Sequence, residues 1–127
     1  MNKKHLVIII EDDFDMYNMF RMVAELVPEY DIEVITDGTG AMKRIDNPNL
    51  PTLVLLDLHL PHVEGDEFLR MARTNTGWKD VPIYIITADA KLAEAYQLDP
   101  RGSNGAFLKG NYSIDFLQEL LEKYVQS

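Results

Sequence analysis

Thr52-Leu-Val-Leu-Leu-Asp57 sets four consecutive apolar residues, Leu53 to Leu56, directly before a carboxylate. A strand with one wet face alternates apolar and polar residues. An unbroken apolar run needs cover on both faces, as in a parallel sheet between layers of helix. Leu6-Val-Ile-Ile-Ile10 repeats the pattern and meets Glu11-Asp12-Asp13 at once. Val81-Pro-Ile-Tyr-Ile-Ile-Thr87 is another such strand, its proline near the start, where a strand tolerates one. These runs end in groups capable of chemistry, where further core would be the plainer choice.

The segments between the runs read as helices. Met16, Met19, Phe20, Val23 and Leu26/Val27 recur at spacings of three and four, and Pro28 closes that stretch. Asp31 to Thr36 alternates charged and apolar residues and reads as a more exposed strand. Gly38 to Ile45 is a short helix, followed by the breaker-rich loop Asn47-Pro-Asn-Leu-Pro51. Asp66 to Thr74 and Ala88 to Leu98 are further helices, the second stopped by Asp99-Pro100-Arg101-Gly102. Ala106 to Lys109 is a last short strand, and Ser113 is placed to cap a final helix with the stripe Ile114, Leu117, Leu120/Leu121 and Tyr124. Strand and helix thus alternate five times, which argues for an α/β parallel sheet with helices on both faces. The whole chain, 1–127, is expected to form one domain, with no linker, repeat or segment left for an output domain.

Composition narrows the function. The 127 residues carry a formal net charge of −9, which repels a nucleic-acid backbone and argues against nucleic-acid binding. There is no cysteine, so thiolate chemistry and disulfides are excluded. The positive start Met1-Asn-Lys-Lys-His5 precedes an apolar run too short for a signal-peptide core, and no stretch approaches a membrane span. The expectation is a cytoplasmic protein without membrane contact. His5 is expected to be an exposed strand-start residue.

In an open α/β sheet, ligands bind outside the carboxyl ends of the strands. The first strand ends in Glu11-Asp12-Asp13, the third in Asp57, the fourth in Thr87-Ala88 and the fifth in Lys109. The fold therefore predicts three aspartates, a hydroxyl and an ammonium converging on one edge. Clustered carboxylates repel one another, and a divalent cation relieves the repulsion. A few carboxylate oxygens with waters retained suit Mg²⁺. An ionised carboxylate beside such an ion can attack phosphorus and become an acyl phosphate, whose oxygens a lysine and a hydroxyl can hold. Taken alone, Asp12 and Asp13 read as the acidic start of a helix, Thr87 as a β-former and Lys109 as a surface charge. Their value lies in the set.

Glu11-Asp12-Asp13, Asp57 with Pro61 and Gly65, Thr87-Ala88 and Lys109, in that order and spacing, resemble the response-regulator receiver family over essentially the whole chain. The resemblance implies a flavodoxin-like (βα)5 fold with strand order 2-1-3-4-5. It implies phosphotransfer from a histidine kinase or histidine phosphotransfer protein onto Asp57. It also implies Mg²⁺ held by Asp12, Asp13, Asp57 and the backbone carbonyl of His59, with Asp13 the more direct of the paired acids. Thr87 and Lys109 would bind the phosphoryl group, and Ala88 would leave the attacking group a path. His59 and Asp89 would tune loss of the phosphoryl group to water. Such a chain is a stand-alone signalling domain, monomer or weak dimer, rather than an enzyme. Its only chemistry would be its own phosphorylation and dephosphorylation, and its target another protein.

Two positions depart from the family's pattern. Ala106 stands where an aromatic switch residue is usual, and Phe107, one step away, should face the other side of its strand. Gly110 replaces the usual proline after the lysine, so a trans peptide is expected there. With Pro100, these fall around the fourth helix, fifth strand and fifth helix, and suggest a changed output surface. Phe14 reads equally as an exposed partner contact and as local packing. Three other readings fit less well. A receiver fold that signals without phosphorylation conflicts with the complete acidic site. An aspartate-dependent phosphatase needs a second acid where His59 stands, and a substrate-enclosing insertion. A flavin site would meet three acids where it needs a phosphate loop. His59 and His62 flank Pro61 in a loop, which argues against a histidine metal site.

Overall fold

A computed structural model describes residues 5–110 and 114–126. The expected cap Ser113 and the basic residues before His5 lie outside the described residues. The chain alternates β1 (His5–Ile10), α1 (Phe14–Glu25), β2 (Tyr30–Ile35), α2 (Gly38–Arg44), β3 (Leu53–Leu56), α3 (Gly65–Thr74), β4 (Ile83–Thr87), α4 (Ala90–Leu98), β5 (Gly105–Leu108) and α5 (Ile114–Val125). All strands pair in parallel, in the order β2-β1-β3-β4-β5. This is the parallel α/β sheet expected from the alternation, with the flavodoxin-like strand order that the resemblance implied.

The apolar runs are continuous because each strand feeds two cores. Ile8, Ile10, Val54, Leu56, Ile83, Ile85 and Ala106 pack on one face against Ala41, Phe68, Leu69, Ala72 and Tyr96 of α2, α3 and α4, with Ile45 just past α2. Val7, Ile9, Leu53, Leu55, Tyr84 and Ile86 pack on the other against Phe20, Val23, Ala24, Leu117, Leu120 and Leu121 of α1 and α5. Side chains two apart share a face, so adjacent residues of one strand serve opposite layers. The edge strand β2 keeps Asp31 and Glu33 among its apolar residues, a pattern that discourages further pairing.

Carboxylates fix the starts of α1, α2 and α4. Asp13 accepts from the Met16 N–H at 3.1 Å, Asp37 from the Gly40 N–H at 2.7 Å, and Asp89 from Lys91 and Leu92 at 2.9 and 3.2 Å. His5 differs from its expected exposure. It is half-buried, its Nδ1 lies 3.0 Å from Thr52 Oγ1, and its ring tilts against Tyr30, because β1 is flanked at that end by both neighbours. Phe14 is 65% exposed and meets the Tyr17 ring edge-on. No helix among the described residues is long and apolar enough to cross a membrane.

Candidate functional site

The parallel register sets which acids meet. Ile10 of β1 pairs with Leu56 of β3, and the Asp57 N–H donates to the Ile10 carbonyl at 2.9 Å. Glu11 and Asp57 are therefore the first residues beyond one shared rung. Both are buried, at 1% and 5% exposure, although each is a carboxylate. Asp12 stands exposed beside them, and ligand oxygens of Glu11, Asp12 and Asp57 lie within 4.8 Å of one another.

The carboxylates that the structure clusters are Glu11, Asp12 and Asp57, where the resemblance implied Asp12, Asp13 and Asp57. Asp13 does not join the cluster: its carboxylate is used as the cap of α1. Its backbone N–H instead donates to Glu11 Oε2 at 3.3 Å. The chain turns from strand to helix at Asp13, and a residue there cannot both cap α1 and point back across the strand ends. Glu11 stands in the cluster where the resemblance implied Asp13. The signal that would have found it is parity of position: Glu11 and Asp57 are each the first charged residue after an apolar run.

Lys109 closes the site. Its Nζ lies 2.5 Å from Glu11 Oε1 and 3.4 Å from Asp57 Oδ2. Glu11 Oε1 has this ion pair but no hydrogen bond, which leaves a buried oxygen incompletely satisfied. Burial pushes the Glu11 carboxyl up to about 8; the neighbouring Asp57 carboxylate adds to this, and Lys109 opposes it. Burial works against the Lys109 charge as well, but its close contacts with the Glu11 and Asp57 carboxylates outweigh it and hold the ammonium above its ordinary value.

These shifts have a consequence for stability. A carboxyl whose folded pKa exceeds its unfolded one keeps its proton in the folded chain while the unfolded chain loses it. Stability contributed by Glu11 is then complete below about 4.5 and falls as pH rises toward about 8. Denaturant titration without divalent ions should show this loss, at up to about 1.4 kcal/mol per pH unit for one proton. Glu11→Gln should flatten that slope; an unchanged slope in the variant would place the titration elsewhere.

The remaining predicted residues fall around Asp57. The His59 N–H donates to Asp57 Oδ1 at 3.1 Å, while its side chain is exposed and 3.9 Å from Glu64. Thr87 is wholly buried at the end of β4, its Oγ1 accepting from the Asp89 N–H at 3.1 Å. Ala88 and Asp89 are exposed beside it, and the Asp89 carboxylate is occupied in capping α4. The Lys109 N–H donates to the Thr87 carbonyl at 2.8 Å, which keeps hydroxyl and ammonium on adjacent strands.

Gly65 is where the loop after β3 returns to start α3. A Cβ at this position would lie 2.5 Å from the Asp57 carbonyl oxygen and 2.7 Å from Leu58 Cα. Only glycine allows so close an approach.

The two departures also have structural form. Ala106 is buried on the α4 side, and the Gln97 Nε2 donates to its carbonyl at 2.9 Å. Phe107 faces the opposite layer, as strand alternation requires. It stacks on Tyr84 with centroids 5.7 Å apart and meets Phe116 edge-on at 4.9 Å. The peptide before Gly110 is trans, and Gly110 has φ +88°, a value that proline cannot adopt.

A fold of this order, with buried acids and a lysine at the carboxyl ends of its strands, defines a class. Residues 7–122 match the family model for the response regulator receiver domain, and the chain belongs to that family. It is 29% identical over 119 residues to the chemotaxis protein CheY of Pseudomonas aeruginosa, covering 91% of this chain and 93% of that protein. A putative response regulator from Chloroflexus aurantiacus superposes with a TM-score of 0.82 at 23% identity, covering 98% of this chain and all (100%) of that one. The receiver domain of a sensor histidine kinase from Pseudomonas aeruginosa, solved with a magnesium ion coordinated in its active-site cleft, superposes with a TM-score of 0.74 at 22% identity; coverage is 97% of this chain and 98% of that one. The chain is a CheY-like receiver domain of two-component signalling.

Proposed function

We propose that this receiver accepts a phosphoryl group from a phosphohistidine onto Asp57 and signals through contacts with another protein. The observation that carries the reading is the buried Asp57 carboxylate, clustered with Glu11 and Asp12 and within reach of the Lys109 ammonium. An Asp57 oxygen bonds to phosphorus as the phosphorus–imidazole bond breaks. Lys109 then pairs with a phosphoryl oxygen instead of with the bare carboxylate. The Thr87 hydroxyl, already at the strand end, turns from accepting the Asp89 N–H to donating to the phosphoryl group. Ala88 and the exposed ends around it leave the donor imidazole a path.

The donor set suits Mg²⁺: it is all oxygen, it gathers carboxylates that repel, and it includes a buried oxygen without a complete partner. Glu11, Asp12 and Asp57 would hold the ion. When bound it supplies positive charge that lets the carboxylates ionise together and offsets the charge of the incoming phosphoryl oxygens. Mg²⁺ titration should therefore show Asp12→Asn and Glu11→Gln weakening binding by more than about tenfold, equal to about 1.4 kcal/mol. Asp13→Ala should leave affinity nearly unchanged and cost about 1 kcal/mol of stability through the lost cap. The reverse pattern would return Asp13 to the metal set.

The chain's role on this reading is that of a cytoplasmic signalling domain rather than an enzyme, with a kinase or phosphotransfer protein as donor. Mg²⁺-dependent labelling by a small acyl phosphate, followed by mapping of the acid- and base-labile adduct, tests it. No adduct with an intact fold would overturn it. Output is expected to run through α4, β5 and α5 without an inward aromatic at Ala106. Amide spectra with beryllofluoride should then show little movement of α4; a large shift would sink that part of the proposal.

A further inference from the structure

The structure carries a second charged feature, remote in composition from the acidic site. A cavity of about 420 Å³ lies between α3 and the turn after α4, with Asp66, Arg70, Arg73, Tyr96, Arg101 and Gly102 among its lining residues. Three of the chain's five arginines meet there, in a protein of net charge −9. Against three guanidiniums stands the single carboxylate of Asp66, so the lining is net positive.

The three arginines do different work. Arg73 builds the cavity: it donates to the Gly102 carbonyl at 2.6 Å, the Trp78 carbonyl at 3.1 Å and Asn104 Oδ1 at 3.2 Å. Those bonds fix the turn onto α3 before any ligand arrives. Arg70 lies exposed one helical turn earlier on α3. Arg101 is held in the left-handed region at φ +52°, uncommon for a residue with a side chain, and its guanidinium lies 5.1 Å over the Tyr96 ring. Its Nε is 3.6 Å from Asp99, an exposed carboxylate that a ligand's own acid can replace.

We propose that this cavity docks an acidic polypeptide segment of a partner protein. Guanidiniums present paired donors that match carboxylates in a bidentate fashion. The lining runs along α3 from Asp66 to Thr74, about 12 Å at 1.5 Å per residue, the reach of three or four extended residues rather than of one small anion. The apolar side chains beneath, Leu69 and Tyr96, are buried and offer little to an apolar ligand. The chain's net charge of −9 disfavours acidic ligands in general, so the clustered arginines set where such a segment binds and in what register.

The test is amide NMR of the full chain, titrated with an octapeptide alternating Glu and Gly. Its lysine counterpart and inorganic phosphate serve as controls. Saturable shifts centred on Arg70, Tyr96, Arg101 and Gly102 with the Glu peptide alone are expected, weakened at least tenfold in the variant carrying Arg70→Glu and Arg101→Glu. Both residues are exposed, and the milder pair Arg70→Gln and Arg101→Gln should weaken binding in the same sense with core amides unmoved. Absence of localised shifts, an equal response to the lysine peptide, or equal shifts with phosphate at the same concentration would each overturn the proposal.

Discussion

Asp57→Asn is expected to abolish acyl phosphate formation, with labelling reduced by more than about a thousandfold, or at least about 4 kcal/mol in the barrier. The amide cannot supply the anionic oxygen that attacks phosphorus, and no other carboxylate occupies its place. Glu11 is as buried, but its Oε1 faces the Lys109 ammonium and burial favours its protonated form. Asp12 is exposed and lies at the rim. Without divalent ions the same variant should be more stable than the parent near neutral pH, because it removes one of two buried acids that share a single lysine. Loss of phosphorylation together with unchanged or raised stability separates chemistry from folding. Retained labelling in Asp57→Asn, mapped to another residue, would overturn the assignment.

Gly65→Ala is expected to be the most damaging single methyl addition near the site. Alanine gains close to 1 kcal/mol of helix propensity over glycine. Against that, its Cβ would sit 2.5 Å from the Asp57 carbonyl oxygen and 2.7 Å from Leu58 Cα, contacts that real Cβ atoms do not make. Both atoms are backbone, so no rotamer change relieves them. The loop after β3 must move, and Asp57 with it. Overpacking of this kind costs about 1–3 kcal/mol or more, and the upper end applies where backbone must shift. A fall in Tm of roughly 10 °C should follow, with slowed phosphorylation from a displaced Asp57. A variant as stable as the parent would show that α3 can start elsewhere.

The acidic site was legible only in part. Asp57 and Lys109 stand out because a charge at the end of an apolar strand has no packing reason to be there. The choice between Asp12-Asp13 and Glu11-Asp12 was not legible, because it depends on one residue of phase. Three acids in a row supply both a strand-end pair and a helix cap, and their identities are nearly alike. The rung pairing Ile10 with Leu56 makes Glu11 level with Asp57 and leaves Asp13 to cap α1. The arginine cavity was hidden for a different reason: Arg70 and Arg101 are thirty-one positions apart, and only the turn clamped by Arg73 brings them to one wall.

Local sequence determined the elements and their order, since periodicity and breakers act over a few residues at a time. It also determined that Phe107 could not replace an inward aromatic, because alternation along a strand is a local rule. Tertiary structure decided what those rules leave open: which carboxylates share a rung, where an ammonium reaches, and which arginines face one cavity. Such contacts join distant segments through register and helix rotation, and a shift of one residue changes the chemistry while leaving the hydrophobic pattern intact.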